Sequence, residues 1–331
     1  MKLLILESPG KVKKVQSFLG NDWKVVASVG HVRDLPEREL GVSIPDFVPN
    51  YVPTKRGKDV LKKLQALAKS ATALYLATDP DREGEAIAWH IADALRLPSP
   101  KRITYGEITE SAIKAAIDAP RTLDMSLVRA QEARRILDRL CGYMVSGPLS
   151  NAANSRLSAG RVQSPAVRLV VEREKAIQDF ISTTHYGAKI LFAEGFHAQW
   201  LTDGWHEGDY LLDKDLAERA ASIRALTVED YKETERRVAP PAPFTTSSLQ
   251  QAASNALGFT PKNTMAHAQK LYEQGHITYM RTDSPNLSAE AVEEIRQFCA
   301  AKSWPLVEKV RTWKSKQGAQ ESLFSVCTTI L

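Results

Sequence analysis

The pattern of apolar and polar positions in the first hundred residues alternates between two kinds of segment. Three apolar runs have the length and composition of buried strands: residues 2–6, 23–29 and 73–78. Three amphipathic stretches repeat apolar residues every three or four positions, as helices do: residues 11–19, 58–70 and 85–95. Because strands and helices alternate through short loops, the pattern predicts an α/β sheet whose strands are largely parallel.

The pattern changes after about residue 109. Residues 109–175 read as helical, and so do three later segments near 246–256, 261–274 and 288–301. Between them, aromatic and β-branched residues recur with Gly and Asp turns, which predicts a β-rich piece ahead of the stiff Pro-rich connector at 239–243. Residues 34–57 are rich in Pro and charge, and we expect them to form an excursion over the surface.

Composition narrows the function classes only a little. The 331 residues carry 44 basic and 39 acidic side chains, and the net charge of +5 suits a polyanionic partner but is also typical of a solvated surface. Three well-separated cysteines without a CxxC pair exclude a zinc ribbon and favour a reducing cytoplasm. No apolar run reaches the roughly 18 residues of a membrane span, and the first run is too short for a signal peptide.

An acidic loop follows the strand predicted at 73–78. Asp79, Asp81 and Glu83 alternate there, so an extended loop would bring their carboxylates together, as hard cations such as Mg²⁺ require. The alternative is that acids in a first helical turn only complement the helix dipole. Glu7 favours the metal, because it ends the first strand and parallel strands finish at one edge of the sheet. Lys11 begins the next helix, where a phosphate binds well.

Two further polar segments are candidates for contact with nucleic acid. The first is one face of an amphipathic helix, and it carries Gln131, Arg134, Arg135 and Asp138. A solvated face with i,i+4 pairs is the alternative. The second is the loop LSAGRVQS at 157–164, whose small residues and arginine suit a phosphate cradle. An ordinary helix N-cap at Ser164 is the alternative there.

The segment GHITYMRTDSP at 275–285 is a short β-like run between two helices. Tyr279 alone would be a packing residue in most proteins. Arg281 changes the interpretation, because residues i and i+2 of a strand share a side, so the guanidinium can lie beside the phenol. It could then stabilise charge on a phenolate or on a phosphorane. Glu273 and Asp283 add polar partners.

Together these segments resemble the type IA DNA topoisomerases, in particular the bacterial DNA topoisomerase I-like enzymes found on mobile elements. The matching motifs occur in family order over about residues 1–321: LLILESPGK, SVGHVRDLP, YLATDPDREGEAIAWHI, YGEITESAI, EARRILDRLCGY, LSAGRVQSPAVRLVVERE, PPAPFTTSSLQQAAS and ITYMRTDS. The resemblance implies a multidomain α/β plus α fold. Residues 1–115 would form a Rossmann-like Toprim domain, and 120–331 a mainly helical, partial catalytic core. That core would include a β-rich hinge at about 178–240 and a nucleophile-bearing segment at about 244–321.

The same resemblance implies a role for individual residues. Tyr279 matches the nucleophile, with Arg281 as its partner and Lys11 near the scissile phosphate. Four residues match the family's metal-binding acids: Glu7, Asp79, Asp81 and Glu83. The implied cofactor is Mg²⁺, and Glu7 also matches a catalytic position. The residues that match positions holding single-stranded DNA are His31, Arg134, Arg135, Asp138, Tyr143, Ser158, Gly160, Arg161 and Gln163.

The implied reaction is a transesterification that relaxes negatively supercoiled DNA. Tyr279 attacks a backbone phosphorus, forms a 5′-phosphotyrosine and releases a 3′-hydroxyl, which later reverses the attack. The phosphotyrosine conserves the bond energy, so no nucleotide is needed, in agreement with the absence of a GxxxxGK[ST] loop. We expect a monomer in the cytoplasm, associated with the nucleoid and with no membrane.

The sequence departs from the family pattern after Glu321. Relatives continue with a histidine-containing motif, whereas this chain reads SLFSVCTTIL, so we expect a truncated enzyme with impaired relaxation activity. A frameshift or early stop would produce this pattern. Two other functions stay open. A non-catalytic single-stranded DNA-binding fragment would keep the Arg134 face and the loop at 157–164. A Toprim nuclease or primase would share Glu7 and the acidic loop but have no use for Tyr279.

Overall fold

A computed structural model describes residues 1–314 except 207, 237 and 239, and leaves out the side chain of Glu290. The chain divides into two compact units. The first comprises Met1–Gly160 and Pro241–Leu331, and the second is Arg161–Pro240. None of the helices in the described part of the chain has the length and apolarity that a membrane span needs.

The first unit contains a four-stranded parallel sheet with the strand order β2-β1-β5-β6. Its strands are β1 (Lys2–Leu6), β2 (Trp23–Ala27), β5 (Ala73–Ala77) and β6 (Lys101–Arg102). A separate antiparallel pair joins β3 (Arg33–Asp34) to β4 (Val52–Pro53), inside the stretch predicted as a surface excursion. Leu6 pairs with Ala77, so the residues that follow β1 and β5 leave the sheet side by side.

Helices cover the sheet and extend beyond it. Those of the first unit are α1 (Val12–Leu19), α2 (Lys55–Ser70), α3 (Arg82–Ala94), α4 (Glu110–Asp118), α5 (Met125–Leu140), α6 (Ser146–Ala152), α9 (Thr246–Leu257), α10 (Pro261–Glu273) and α11 (Ala289–Ala301). Pro9–Lys11 forms a 3₁₀ turn ahead of α1, and Cys141–Val145 forms a π-helical turn between α5 and α6. The prediction of a parallel α/β domain followed by a mainly helical core is confirmed.

The apolar run of β1 explains the two-sided core. Leu4 and Leu6 belong to one buried cluster, and Leu3 and Ile5 belong to another on the opposite face. A strand buried on both faces needs a continuous apolar run rather than an alternating one. The first cluster also contains residues of α10 and Tyr279, so burial of apolar surface holds this distant part of the chain against the sheet.

Two local predictions were wrong. Helix α3 begins at Arg82 rather than Glu85, because the Asp81 side chain caps it and accepts a hydrogen bond from the Gly84 backbone N–H at 2.8 Å. The tyrosine segment, 275–285, forms no strand. Its backbone instead bonds to neighbouring segments, as in the Tyr279 N–H to Gly106 carbonyl bond at 2.7 Å.

The second unit contains α7 (Gln163–Gln178), β7 (Lys189–Leu191), β8 (His197–Gln199) and α8 (Lys214–Ala221). Strands β7 and β8 form an antiparallel hairpin, and Gly195 supplies the positive φ of 90° that its turn requires. A cavity of about 420 Å³ lies within this unit, with Trp200, Trp205 and Ile223 in its wall. The predicted β-rich piece thus contains one described hairpin, and several of its aromatic residues, such as Phe196, are exposed.

Candidate active site

The ends of β1 and β5 bring the first predicted site residues together. The Asp79 backbone N–H donates to Glu7 Oε2 at 3.4 Å, and the Lys11 ammonium forms an ion pair with the Asp79 carboxylate. The Lys11 side chain is fully buried, and Asp79 is nearly so. A buried ammonium requires a compensating charge. The pairing of Lys11 with Asp79 therefore fixes both groups at the carboxyl edge of the sheet, where ligands of such sheets bind.

Asp81 connects this edge to the tyrosine segment. One carboxylate oxygen, Oδ1, caps α3, and the other, Oδ2, accepts a hydrogen bond from the Tyr279 hydroxyl at 2.6 Å. Arg281 Nη1 lies 3.4 Å from the same Oδ2 atom. The predicted neighbourhood of Tyr279 and Arg281 thus exists, although no strand produces it. Both side chains reach one carboxylate that lies about 200 positions earlier in the sequence.

Several contacts hold the tyrosine segment against the part of the first unit that contains the parallel sheet. Ser8 Oγ donates to Glu273 Oε1 at 2.6 Å, and Thr246 Oγ1 donates to the Met280 carbonyl at 2.8 Å. Gly275 adopts a φ of 70°, where an added Cβ would lie 2.7 Å from the Ile108 carbonyl oxygen. Tyr279 is only 5% exposed as a result.

Crowded carboxylates change the proton affinities at this site. Burial, reinforced by the charges of Asp79 and Asp81, raises the pKa of Glu7 to about 7. Burial likewise raises the pKa of Tyr279 far above its usual value, with Asp81 and Asp79 adding to the effect and Arg281 opposing it. Tyr279 is therefore a neutral phenol in this arrangement, and its ionisation needs additional positive charge nearby.

The acids at the edge of the sheet have the donor chemistry that a divalent cation needs. Glu7, Asp79 and Asp81 offer hard oxygen donors. Burial first, and then the charges of Asp79 and Asp81, raise the pKa of Glu7, and a bound dication would offset both effects. The oxygen donors of these three acids therefore fit Mg²⁺. In the described residues, however, no group of three or more His, Cys, Asp or Glu side chains is already arranged as a metal-binding set. Lys11 and Tyr279 instead satisfy Asp79 and Asp81.

Glu83 does not point where the extended-loop prediction puts it. Because α3 starts at Arg82, Glu83 lies in the first helical turn, and its Oε2 atom contacts His31 Nε2 at 3.2 Å and Gln131 Nε2 at 3.1 Å. The hydrogen bond from His31 lowers the pKa of Glu83 to about 2, with Gln131 and Arg134 contributing. Glu83 thus joins the predicted DNA-binding residue His31 to α5.

The arginine-bearing helix α5 packs on the excursion at 34–57. Arg135 donates from Nε and Nη2 to the two oxygens of Asp34, at 2.7 and 2.8 Å. The Tyr143 hydroxyl donates to the Glu37 carbonyl at 3.0 Å. Asp138 is half-buried and has partners of its own. The guanidinium of Arg135 is therefore already paired. The positive charge of Arg134 instead acts on the Glu83 carboxylate and helps to lower its pKa.

The loop at 157–164 spans the division between the two units. Ser158 and Gly160 belong to the first unit, in which Ser146 Oγ accepts a hydrogen bond from the intervening Ala159 N–H at 2.9 Å. Arg161 and Gln163 belong to the second unit, where Gln163 is the first residue of α7. Two of these four residues therefore belong to the first unit and two to the second.

Comparison with known proteins agrees with this architecture. A Toprim domain family matches residues 2–110, and a DNA topoisomerase family matches residues 122–324, more than half of the chain. The chain belongs to the DNA topoisomerase family.

The chain matches several bacterial proteins. It is 53% identical over 328 residues to the plasmid DNA topoisomerase I of Xylella fastidiosa, covering 97% of this chain and 50% of that protein. It is 45% identical over 344 residues to DNA topoisomerase 1 of Campylobacter jejuni, covering 97% and 49%. Full-length topoisomerase I from Thermotoga maritima superposes with a TM-score of 0.81 at 42% identity, covering 91% of this chain and 52% of that one. The chain therefore spans about half the length of these relatives, and residues after 314 lie outside the described ones.

The sequence patterns missed a buried arginine that supports the acidic loop of this topoisomerase. Arg102 is fully buried and donates to the carbonyl oxygens of Thr78 at 2.7 Å and Asp79 at 2.8 Å, and to Glu85 Oε2 at 2.9 Å. Glu85 also accepts from Arg121 and from the Asp124 N–H at the start of α5. The local sequence offers no signal for this role, because Arg102 lies beside Lys101 in the two-residue strand β6.

The sequence patterns also missed Tyr272. This residue of α10 is fully buried, and its ring lies between Lys11 and Tyr279. Nothing in the sequence distinguishes it from an ordinary core aromatic. A cavity of about 620 Å³ opens on another side of Tyr279, with Tyr105 and Glu294 also in its wall.

Proposed function

We propose that this chain carries the cleavage site of a type IA DNA topoisomerase, in which Tyr279 forms a transient 5′-phosphotyrosine in single-stranded DNA. The observation that carries the proposal is the hydrogen bond from the Tyr279 hydroxyl to Asp81, with Arg281 at the same oxygen. A phenol, a carboxylate acceptor and a guanidinium are the groups that attack on phosphorus requires. Relaxation of negatively supercoiled DNA is the proposed activity of the whole enzyme.

The residues divide the reaction between them in the following way. Tyr279 Oη forms a bond to phosphorus while the phosphorus–O3′ bond breaks, and Asp81 is the candidate acceptor of the phenol proton. The departing 3′-oxygen takes up a proton, for which Lys11 and Glu7 are the candidates. Glu7 suits this role because its pKa of about 7 leaves part of the population protonated near neutrality. Arg281 offsets the charge that develops at phosphorus.

We propose Mg²⁺ as the cofactor, held by Glu7, Asp79 and Asp81. When bound, the ion would supply positive charge to the carboxylate cluster and to neighbouring phosphates. The double variant Asp79→Ala with Asp81→Ala should reduce the response of cleavage to Mg²⁺. Asp93→Ala, which removes an exposed acid of α3, is the control and should leave that response unchanged. An unaltered Mg²⁺ titration in the double variant would refute the assignment.

The proposed cleavage is tested with single-stranded oligonucleotides labelled at the 5′ or the 3′ end and incubated with the chain and Mg²⁺. We expect a covalent adduct that retains the 3′-side fragment and disappears in Tyr279→Phe. Tyr75→Phe, a change in another buried tyrosine of the same core, should preserve it. Binding without an adduct would support a non-catalytic DNA-binding fragment instead. Free cleavage products that persist in Tyr279→Phe would support a Toprim nuclease.

A further inference from the structure

We infer that Tyr272 is a positioning residue of this site, whose ring holds the Lys11 ammonium against Asp79 and fixes the ring of Tyr279. The inference rests on the proposed role of Tyr279 as nucleophile. Lys11 Nζ lies 4.4 Å from the centroid of the Tyr272 ring. The Tyr272 and Tyr279 rings meet edge to face, with centroids 5.1 Å apart and an interplanar angle of 67°.

Lys11 depends on this ring because its side chain has no access to solvent. An ammonium group loses its hydration on burial, and only charges or polarised surfaces can replace it. Asp79 supplies the charge, and the face of an aromatic ring attracts a cation through its quadrupole. Lysine has a long flexible stem, so the ring also excludes other positions of the ammonium. Tyr272 thereby fixes the position of the Lys11 ammonium, which is a candidate proton donor.

Tyr279 depends on the same ring for its direction. Its hydroxyl reaches Asp81 at 2.6 Å only while the ring keeps its present orientation. Edge-to-face contact with a fixed neighbour limits rotation about the side-chain bonds. Tyr272 is such a neighbour, because it is fully buried in the core cluster that includes Leu4 and Ile108. One side chain of α10 therefore positions two reacting groups.

The hydroxyl of Tyr272 is not needed for the positioning of Lys11 and Tyr279. It is buried and, among the described residues, has no hydrogen-bond partner. A buried hydroxyl without a partner is unfavourable, so the ring and not the oxygen accounts for the packing. Phenylalanine keeps the ring face and edge. Methionine has a similar reach but offers no aromatic face to Lys11. The two replacements therefore separate a positioning ring from a reacting hydroxyl.

The test compares initial rates of covalent adduct formation on a 3′-labelled single-stranded oligonucleotide. Tyr272→Phe should stay within about twofold of the unmodified chain, whereas Tyr272→Met should be slower by at least about tenfold. Lys11→Met should also be slow, and the double variant with Tyr272→Met should be no slower than the slower single variant, because both changes remove one arrangement. Tyr75→Leu is the matched control. Tyr75 is a buried tyrosine of the same cluster with Lys101 over its ring at 5.2 Å.

Three results would overturn the inference: Tyr272→Phe as slow as Tyr272→Met, no effect of Tyr272→Met beyond that of Tyr75→Leu, or fully additive effects with Lys11→Met. A melting experiment on the same variants separates this failure from failure of the proposed function. If the ring binds Lys11, the shifts in melting temperature of the two single variants are non-additive by at least about 2 °C, even where no adduct forms. Additive shifts would show that the contact is absent. Tyr272→Leu replaces Tyr272→Met if that variant does not fold.

Discussion

Replacing Arg102 with methionine removes a buried cation that holds the backbone of the acidic loop. The guanidinium donates to the carbonyl oxygens of Thr78 and Asp79 and pairs with Glu85. All of these atoms lie in the interior, where water does not take the place of the lost donors. Methionine fills most of the volume but donates no hydrogen bond, so the variant isolates the polar contribution.

The size of the effect follows from what stays unpaired. Breaking a buried ion pair from one side costs about 3–5 kcal/mol, because the remaining group keeps its desolvation penalty. Glu85 retains its hydrogen bonds from Arg121 and the Asp124 N–H, which reduces the contribution of Glu85 to the loss of stability. At least three buried carbonyls, those of Thr78, Asp79 and Ile103, lose this donor at about 1–3 kcal/mol each. These contributions overlap, so we expect a loss of about 4 kcal/mol, which corresponds to about 8–16 °C in the melting temperature of a domain of this size.

The assay is thermal unfolding followed by circular dichroism for three variants. Arg102→Met should show the large decrease, and Arg121→Met a smaller one, because the Arg121 side chain is 39% exposed. Arg168→Met, at 79% exposure, is the control and should change the melting temperature by no more than about 1–2 °C. A melting temperature for Arg102→Met that equals that of the control would refute the proposed support of the loop.

Two further predictions concern the first turn of α3. An added Cβ at Gly84 would lie 2.1 Å from the Asp79 carbonyl oxygen, so Gly84→Ala should displace the acidic loop and reduce adduct formation at least about tenfold, while Gly106→Ala, with nothing within 4 Å, should not. His31 lowers the pKa of Glu83 from 4.5 to about 2, so the carboxylate stabilises the fold above about pH 4.5, and this stability is lost as the pH falls towards 2. Glu83→Gln should therefore flatten the dependence of melting temperature on pH across that window, and a curve parallel to that of the unmodified chain would contradict the contact.

The elements that the sequence predicted well are those with a local physical cause. Strand β1 has the predicted bounds, because its uninterrupted apolar run is what a strand buried on two faces requires. Helix α10 begins within the predicted range because Thr260 caps it and Pro261 occupies its first turn. The error at α3 was avoidable. Asp81 is a residue type that caps helices, and Glu83 and Glu85 then lie in the first turn, where acids are favoured.

The contacts between distant segments had no local cause and could not be predicted from pattern alone. Only the family resemblance suggested that Tyr279 works with the acidic loop, because 198 residues separate it from Asp81. Arg102 lies in a two-residue strand, and its stabilising effect depends on carbonyl groups that come to face it only after folding. Tyr272 resembles any core aromatic until the position of Lys11 is known.

Identification of the residue that becomes joined to DNA tests the central claim most directly. The chain would be incubated with a single-stranded oligonucleotide and Mg²⁺, denatured, digested with nuclease and protease, and analysed by tandem mass spectrometry. The account predicts one modified peptide, with a nucleotide attached through its 5′-phosphate to Tyr279. Attachment to another side chain, such as Tyr272 or Tyr105, or linkage through a 3′-phosphate, would contradict it.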